Sequence, residues 1–274
     1  MKEEKQIRGG NRIMSATILT HIDNKVQIIT LNRPEKKNAF NQEMIDAWAK
    51  ALEEAKTNEN VNVVVITGAG DAFCSGGEIG NLAEGTSTLL DFKNVLWKHI
   101  HRIPMILKEM DKPVIAAING VAVGAGLDMA LMTDFRTMAD TAKVSEGYIK
   151  VGLVPGDGGA YFLPRLVGHG KAYELLWTGD FVDAQEALRI GLVNHIYPKE
   201  VFMEKTIELA RRIAAGPQIA IRMIKRSVRN SAEMPLETAL DMISSHMAVL
   251  KETEDHKEGV AAFLEKRKPS FKGM

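Results

Sequence analysis

Two glycine-rich turns carry the first chemical signal in this chain. One is Ala72-Phe73-Cys74-Ser75-Gly76-Gly77-Glu78-Ile79, after the run VVVITG; the other is Asn119-Gly120-Val121-Ala122-Val123-Gly124-Ala125-Gly126-Leu127-Asp128, after PVIAAI. Glycine in a strand-to-helix turn lets backbone approach a ligand and leaves N–H groups unpaired. Two such turns side by side could aim two N–H groups at one oxygen and stabilise an enolate or tetrahedral oxyanion. Tight turns and close packing would also call for these glycines, and neither segment completes the G-x-G-x-x-G pattern of a dinucleotide site. Asp157, in Pro155-Gly156-Asp157-Gly158-Gly159, reads on its own as a turn residue bonding its own backbone. Cys74 has no histidine at a spacing that implies a nucleophile pair, so it reads as packing.

The elements around these turns follow from local pattern. Residues 17–22 and 26–31 are β-rich runs about Asp23-Asn24-Lys25, which predicts a hairpin. Asn41 can cap a helix whose apolar positions Met44, Ile45, Trp48 and Leu52 keep a helical period. Residues 61–67 and 113–118 read as buried strands, and 130–138 as a third after a short helix. Buried strands separated by helices predict an α/β architecture with crossover connections. From about Lys171 the chain reads almost wholly as helix. Asp183 caps a helix that Gly191 closes, and further helical patterns cover 201–215, 217–230, 235–251 and 254–267, with Pro235 and Thr253 at starts.

Composition narrows the classes. The 274 residues are 45% hydrophobic and 26% charged, with 35 basic and 35 acidic side chains. That balance argues against a nucleic-acid binder, which would carry a basic excess. One cysteine permits no intrachain disulfide and fits a reducing compartment. No apolar run approaches the roughly 18 residues needed to cross a bilayer, and the polar start has no apolar core of a secretory signal. A cytoplasmic protein without a membrane partner is the expectation, with residues 1–13 as a flexible tail, 14–200 as a core domain and 201–274 as a helical module.

The run KPVIAAINGVAVGAGLDMALMTD at 112–134 is similar to the signature of the enoyl-CoA hydratase/isomerase (crotonase) family. So are LNRPEKKNAFN at 31–41, VVVITGAGDAFCSGGEI at 63–79, GLVPGDGGAYFLPRLVG at 152–168 and TGDFVDAQEALRIGLVNHIYP at 178–198. GVAAFLEKRKPSF at 259–271 resembles the family's ending. The segments come in the family's order and cover nearly all of the chain past residue 15. The resemblance implies a spiral of ββα repeats with a C-terminal helical module, assembled as a homotrimer or a homohexamer built as a dimer of trimers. It implies an acyl-CoA thioester substrate, with coenzyme A as part of the substrate and no separate cofactor or metal.

Residue by residue, the resemblance assigns the oxyanion hole to the N–H groups of Gly77 and Ala125. Family hydratases carry glutamates at the positions of Asp128 and Tyr148; here the first is one methylene shorter and the second is absent. Asp157 stands where the family's dienoyl-CoA isomerases carry a working aspartate. Asp128 and Asp157 would then form the acid/base pair that chemistry at the α, β and γ carbons requires, with Tyr148 bonding a water or a carboxylate. Glu146 would share a face with Tyr148 were that segment extended, and is set aside as a substitute for the absent glutamate. Lys36, Lys37 and Ala39 lie where the family contacts coenzyme A, and Lys266 and Phe271 where a C-terminal segment can reach the nucleotide end, often of a neighbouring subunit. His99 and His101 are read as structural, in a helix-rich stretch over 80–110 that shapes the acyl pocket.

The expected activity is hydration of a 2-enoyl-CoA. The alternatives are dienoyl-CoA double-bond isomerisation, favoured by the two aspartates, and hydrolase- or dehalogenase-type chemistry on a cyclic or aromatic acyl-CoA, favoured by the aromatic residue at 148. An RNA-binding relative is disfavoured by the neutral charge balance.

Overall fold

The computed structural model describes residues 17–78 and 88–274; the expected tail at 1–13 and part of the 80–110 stretch lie outside them. Strands β1 (Ile18–Asp23) and β2 (Val26–Leu31) form the predicted antiparallel hairpin. Asn24 and Lys25 both hold positive φ, 49° and 62°, as the tight hairpin turn demands. Helix α1 (Gln42–Thr57) starts where Asn41 accepts from the Met44 N–H at 3.0 Å, and it buries Met44, Ile45, Trp48 and Leu52.

The strands that follow alternate between two sheets. β3 (Val63–Gly68), β5 (Val114–Ile118), β7 (Phe135–Ala139) and β10 (His195–Tyr197) extend the hairpin into a six-stranded sheet in the order β1-β2-β3-β5-β7-β10, parallel beyond β1. β4 (Ala72–Cys74), β6 (Val121–Val123), β8 (Lys143–Ser145) and β9 (Val182–Asp183) form a second, four-stranded sheet. Each turn of the chain thus places one strand in each sheet, the spiral of ββα units that the resemblance implies. All six residues of β3 and all five of β5 are buried, as strands covered on both faces must be. The sequence reading missed the second sheet. Its strands are two or three residues long, too short for a period-2 pattern to register.

Helices fill the connections. α2 (Leu89–Val95) runs into a π-helical turn (Leu96–Ile100) and α3 (Arg102–Glu109). α4 (Ala125–Leu131) follows β6, and a 3-10 turn (Gly147–Val151) follows β8. Then come α5 (Gly159–Val167), α6 (His169–Thr178), α7 (Ala184–Arg189), α8 (Phe202–Ala214), α9 (Gln218–Ser231), α10 (Leu236–Lys251) and α11 (Glu254–Leu264). Asp183 caps α7 and Thr253 caps α11 as expected.

The region past Lys171 is almost wholly helix, with β9 and β10 each completing a sheet. The helix that follows residue 200 packs on the six-stranded sheet. α8 buries Phe202, Thr206, Ala210 and Ala214, with Thr206 hydrogen-bonded to Thr137 of β7 at 2.8 Å. It belongs to the core, and the outer helical module begins at α9. No helix of the described residues is long and apolar enough to cross a membrane.

Candidate active site

β4 and β6 are neighbouring parallel strands, so the turns at their C-terminal ends emerge side by side. After β4 the chain makes a parallel bridge between Phe40 and Gly77. Phe40 N–H donates to Gly76 O and Glu78 N–H to Phe40 O, which leaves the Gly77 N–H outside the bridge. After β6, Gly124 takes φ 52°, ψ −122° and Ala125 opens α4, whose first N–H groups have no intrahelical acceptor. Gly76, at φ 99°, brings the turns together: a Cβ there would lie 3.7 Å from the Ala125 nitrogen. Gly126 presses α4 onto β4, since a Cβ at 126 would fall 2.1 Å from Cys74 O. Gly77 and Ala125 both line one cavity of about 440 Å³.

The cavity is lined largely by apolar side chains, among them Ile45, Phe92, Leu96, Ile100 and Leu153, together with Tyr148 and Asp157. The Tyr148 ring packs beside two glycines: a Cβ on Gly124 would lie 3.5 Å from it and one on Gly156 3.9 Å, both ordinary contact distances. The Tyr148 hydroxyl meets Asp128 Oδ2 at 2.8 Å and Asp157 Oδ2 at 3.0 Å, and Asp157 N–H donates to Asp128 Oδ2 at 3.2 Å. Asp157 is part of the cavity wall; Asp128, fully buried at 0% exposure, lies behind Tyr148 and does not line it. Asp157 thus borders the cavity, and Asp128 connects to it through the Tyr148 hydroxyl.

Burial pushes both carboxyls up from the usual carboxylate range, and the Tyr148 hydrogen bond opposes the rise in each. The Asp157 charge raises Asp128 further, and His101 draws Asp157 down. His101 Nε2 lies 2.8 Å from Gly156 O and so anchors the Asp157 loop, while His99 Nδ1 pairs with Gln42 at the surface. Burial, with the two aspartate charges, raises the Tyr148 hydroxyl strongly, which keeps it neutral. Burial also pushes the Cys74 thiol up to about 12. It stays a thiol, which suits packing rather than nucleophilic work.

The expected coenzyme contacts divide. Lys36 and Lys37 are exposed beside the site, where Lys37 O accepts from Ser75 N–H and Lys36 O from Ser75 Oγ. Ala39 is buried and gives its carbonyl to Arg33 at 2.6 Å. Lys266 and Phe271 do not reach this cavity within the chain. Phe271 lines a separate one with Lys25, Lys112 and Arg222. Among the described residues no group of three or more His, Cys, Asp or Glu side chains is arranged to hold a metal ion.

Glu146, set aside in the sequence reading, is only 2% exposed and abuts Asp128. The extended backbone assumed for it does not occur, since residues 147–151 form a 3-10 turn. No signal in the sequence marks it, because its neighbours in space are 11 to 18 residues away in the chain.

Comparison with known proteins agrees with this geometry. The enoyl-CoA hydratase/isomerase family model matches residues 21–274. The chain is 35% identical to 2,3-dehydroadipyl-CoA hydratase of Escherichia coli, covering 91% of this chain and 96% of that protein. It is 33% identical to 1,2-epoxyphenylacetyl-CoA isomerase of the same organism, covering 95% and 100%. Among solved structures, an enoyl-CoA hydratase subunit from Geobacillus kaustophilus superposes with a TM-score of 0.87 at 36% identity, covering 94% of this chain and 98% of that one. Over this length and identity, the chain belongs to the enoyl-CoA hydratase/isomerase family.

Proposed function

We propose that this protein is an enoyl-CoA hydratase that adds water to a 2-enoyl-CoA, with Gly77 and Ala125 N–H groups as the oxyanion hole and Asp157 as the working acid/base. The observation that carries the reading is the meeting of two turn N–H groups and one buried carboxyl on the wall of a single, mostly apolar cavity. The thioester oxygen sits between the two donors. As water attacks the β carbon, charge moves onto that oxygen and is stabilised there. Asp157 takes the proton that the water loses and returns one to the α carbon, giving the 3-hydroxyacyl thioester. The Tyr148 proton can serve one carboxylate at a time, so its bond passes between Asp128 and Asp157 as Asp157 gains and loses a proton.

Lys36 and Lys37 are placed to meet the phosphates of coenzyme A at the mouth, and no cofactor beyond the substrate's own coenzyme A is invoked. α9 and α10 expose Ile224, Val228, Leu236, Leu240 and Met247, a surface that suits burial in a homotrimer or dimer of trimers. Light scattering checks the mass, and a monomer would remove that part of the reading. The composition and single cysteine suit the cytoplasm.

The test is loss of enoyl-thioester absorbance with crotonyl-CoA, on wild type and Asp157→Asn. A second reading, double-bond isomerisation of a dienoyl-CoA, is favoured by the Asp157–Tyr148–Asp128 bridge, which moves protons without needing water. An enzyme inactive on crotonyl-CoA but active on a dienoyl thioester would replace the first reading with the second.

A further inference from the structure

Glu146 leaves β8 and turns inward, where neither of its oxygens meets an N–H or O–H donor. It faces Asp128 across the space that Gly159 leaves by lacking a side chain. A Cβ at 159 would lie 2.3 Å from Asp128 Oδ1 and 3.1 Å from Glu146 Oε1. Asp157, Tyr148 and the Gly159 N–H also meet Asp128, and His101 acts on Asp157. Among the described residues no cation pairs with Asp128, Glu146 or Asp157.

Two buried carboxyls in contact cannot both ionise, and the hydrogen bond open to them is one with a proton between them. The donors decide which carries it. Asp128 accepts from the Tyr148 O–H and the Asp157 N–H, both of which favour its charged form, whereas Glu146 accepts from neither. Burial and the Asp128 charge both raise Glu146 well above the carboxylate range, while a hydrogen bond from Glu146 lowers Asp128.

We propose that Glu146 is a positioning residue that stays protonated in the resting enzyme and donates its O–H to Asp128, holding Asp128 ionised as the anchor for Tyr148 and, through it, Asp157. The kinetic part rests on the reading of Asp157 as the acid/base. Ionisation of Glu146 on the alkaline side would place two negative charges in contact, remove the donor and release Asp128 from its position. Activity should therefore fall at alkaline pH for a reason located behind the pocket rather than in it.

Infrared difference spectroscopy of the unliganded protein tests the protonation without any substrate. A protonated-carboxyl band at neutral pH is expected in wild type and absent from Glu146→Gln; no such band in wild type overturns the proposal. If crotonyl-CoA is not turned over, the hydratase reading fails while this band still decides the proton's location. In kinetics, Glu146→Gln keeps an N–H donor but cannot ionise, so kcat should drop by less than about tenfold and the alkaline limb should disappear. Glu146→Leu, with no donor, should lose more than about tenfold. A Leu variant with wild-type kcat and pH profile would reduce Glu146 to packing. A Gln variant as inactive as Asp157→Asn would make it a proton-transfer group. Either overturns the positioning role.

Discussion

Asp157 and Asp128 accept from the same tyrosine hydroxyl, yet they sit in different chemical worlds. Asp157 forms part of the acyl cavity wall, on a loop anchored by His101. Asp128 is sealed inside α4, touching Tyr148 on one side and Glu146 on the other. In the proposed reaction the first exchanges protons with the substrate, and the second holds charge and direction for the first. Two aspartates that look interchangeable in sequence thus divide the work by burial and by neighbours. Glycine at 126 and 159 permits the arrangement, because a Cβ there would fall 2.1 Å from Cys74 O and 2.3 Å from Asp128 Oδ1.

The largest expected effect is on the pocket-facing side. Asp157→Asn should lower kcat by about 10²–10⁴-fold while calorimetry shows coenzyme A binding unchanged. Asp128→Asn should lower it less, and an Asp128 variant more damaged than the Asp157 one would invert the assignment. Next, Gly126→Ala would drive a methyl into Cys74 O and part the two turns that carry Gly77 and Ala125. A loss of about 10²–10³-fold in kcat is expected, the range for a lost oxyanion donor.

Tyr148→Phe addresses the link between the two sides and should lower kcat about tenfold by loosening the Asp157 side chain. The Tyr148 hydrogen bond lowers both aspartates, so removing it raises them and moves the acid limb of the pH–rate profile to higher pH. An unshifted limb would show that the hydroxyl does not couple them. The smallest effect is on stability. Glu146 binds its proton more tightly folded than unfolded, where its value is near 4.5. Between those two values the folded state holds more protons, so its contribution is fully present below 4.5 and is lost as pH rises through the folded value. Urea titrations should show wild type losing stability over that window and Glu146→Gln losing less; parallel curves would exclude a buried proton on Glu146.

Much of this was legible in local pattern. Asn41, Asp183 and Thr253 announce helix starts because a cap is a contact between residues three apart. The long buried strands 63–68 and 114–118 announce themselves by β-branched apolar runs. The two glycine-rich turns were visible as candidates, and the family resemblance placed Gly77, Ala125 and the aspartates. The second sheet was not visible, since Ala72–Cys74 and Val121–Val123 pair only with each other and with β8. Nor was the end of the core at residue 214, which depends on Thr206 meeting Thr137 across 69 residues.

The sequence by itself determined the parts of the site: two turns able to present N–H groups, carboxyls at 128, 146 and 157, and a phenol between them in the chain. Only the tertiary structure decided which carboxyl lines the cavity, which is buried away from it, and that Glu146 meets Asp128 at all. The reason is that backbone turns are set by residues a few positions apart, whereas the charge a carboxyl can carry is set by every group within a few ångströms. Those groups come from β8, α4 and the Asp157 loop, which only folding brings together.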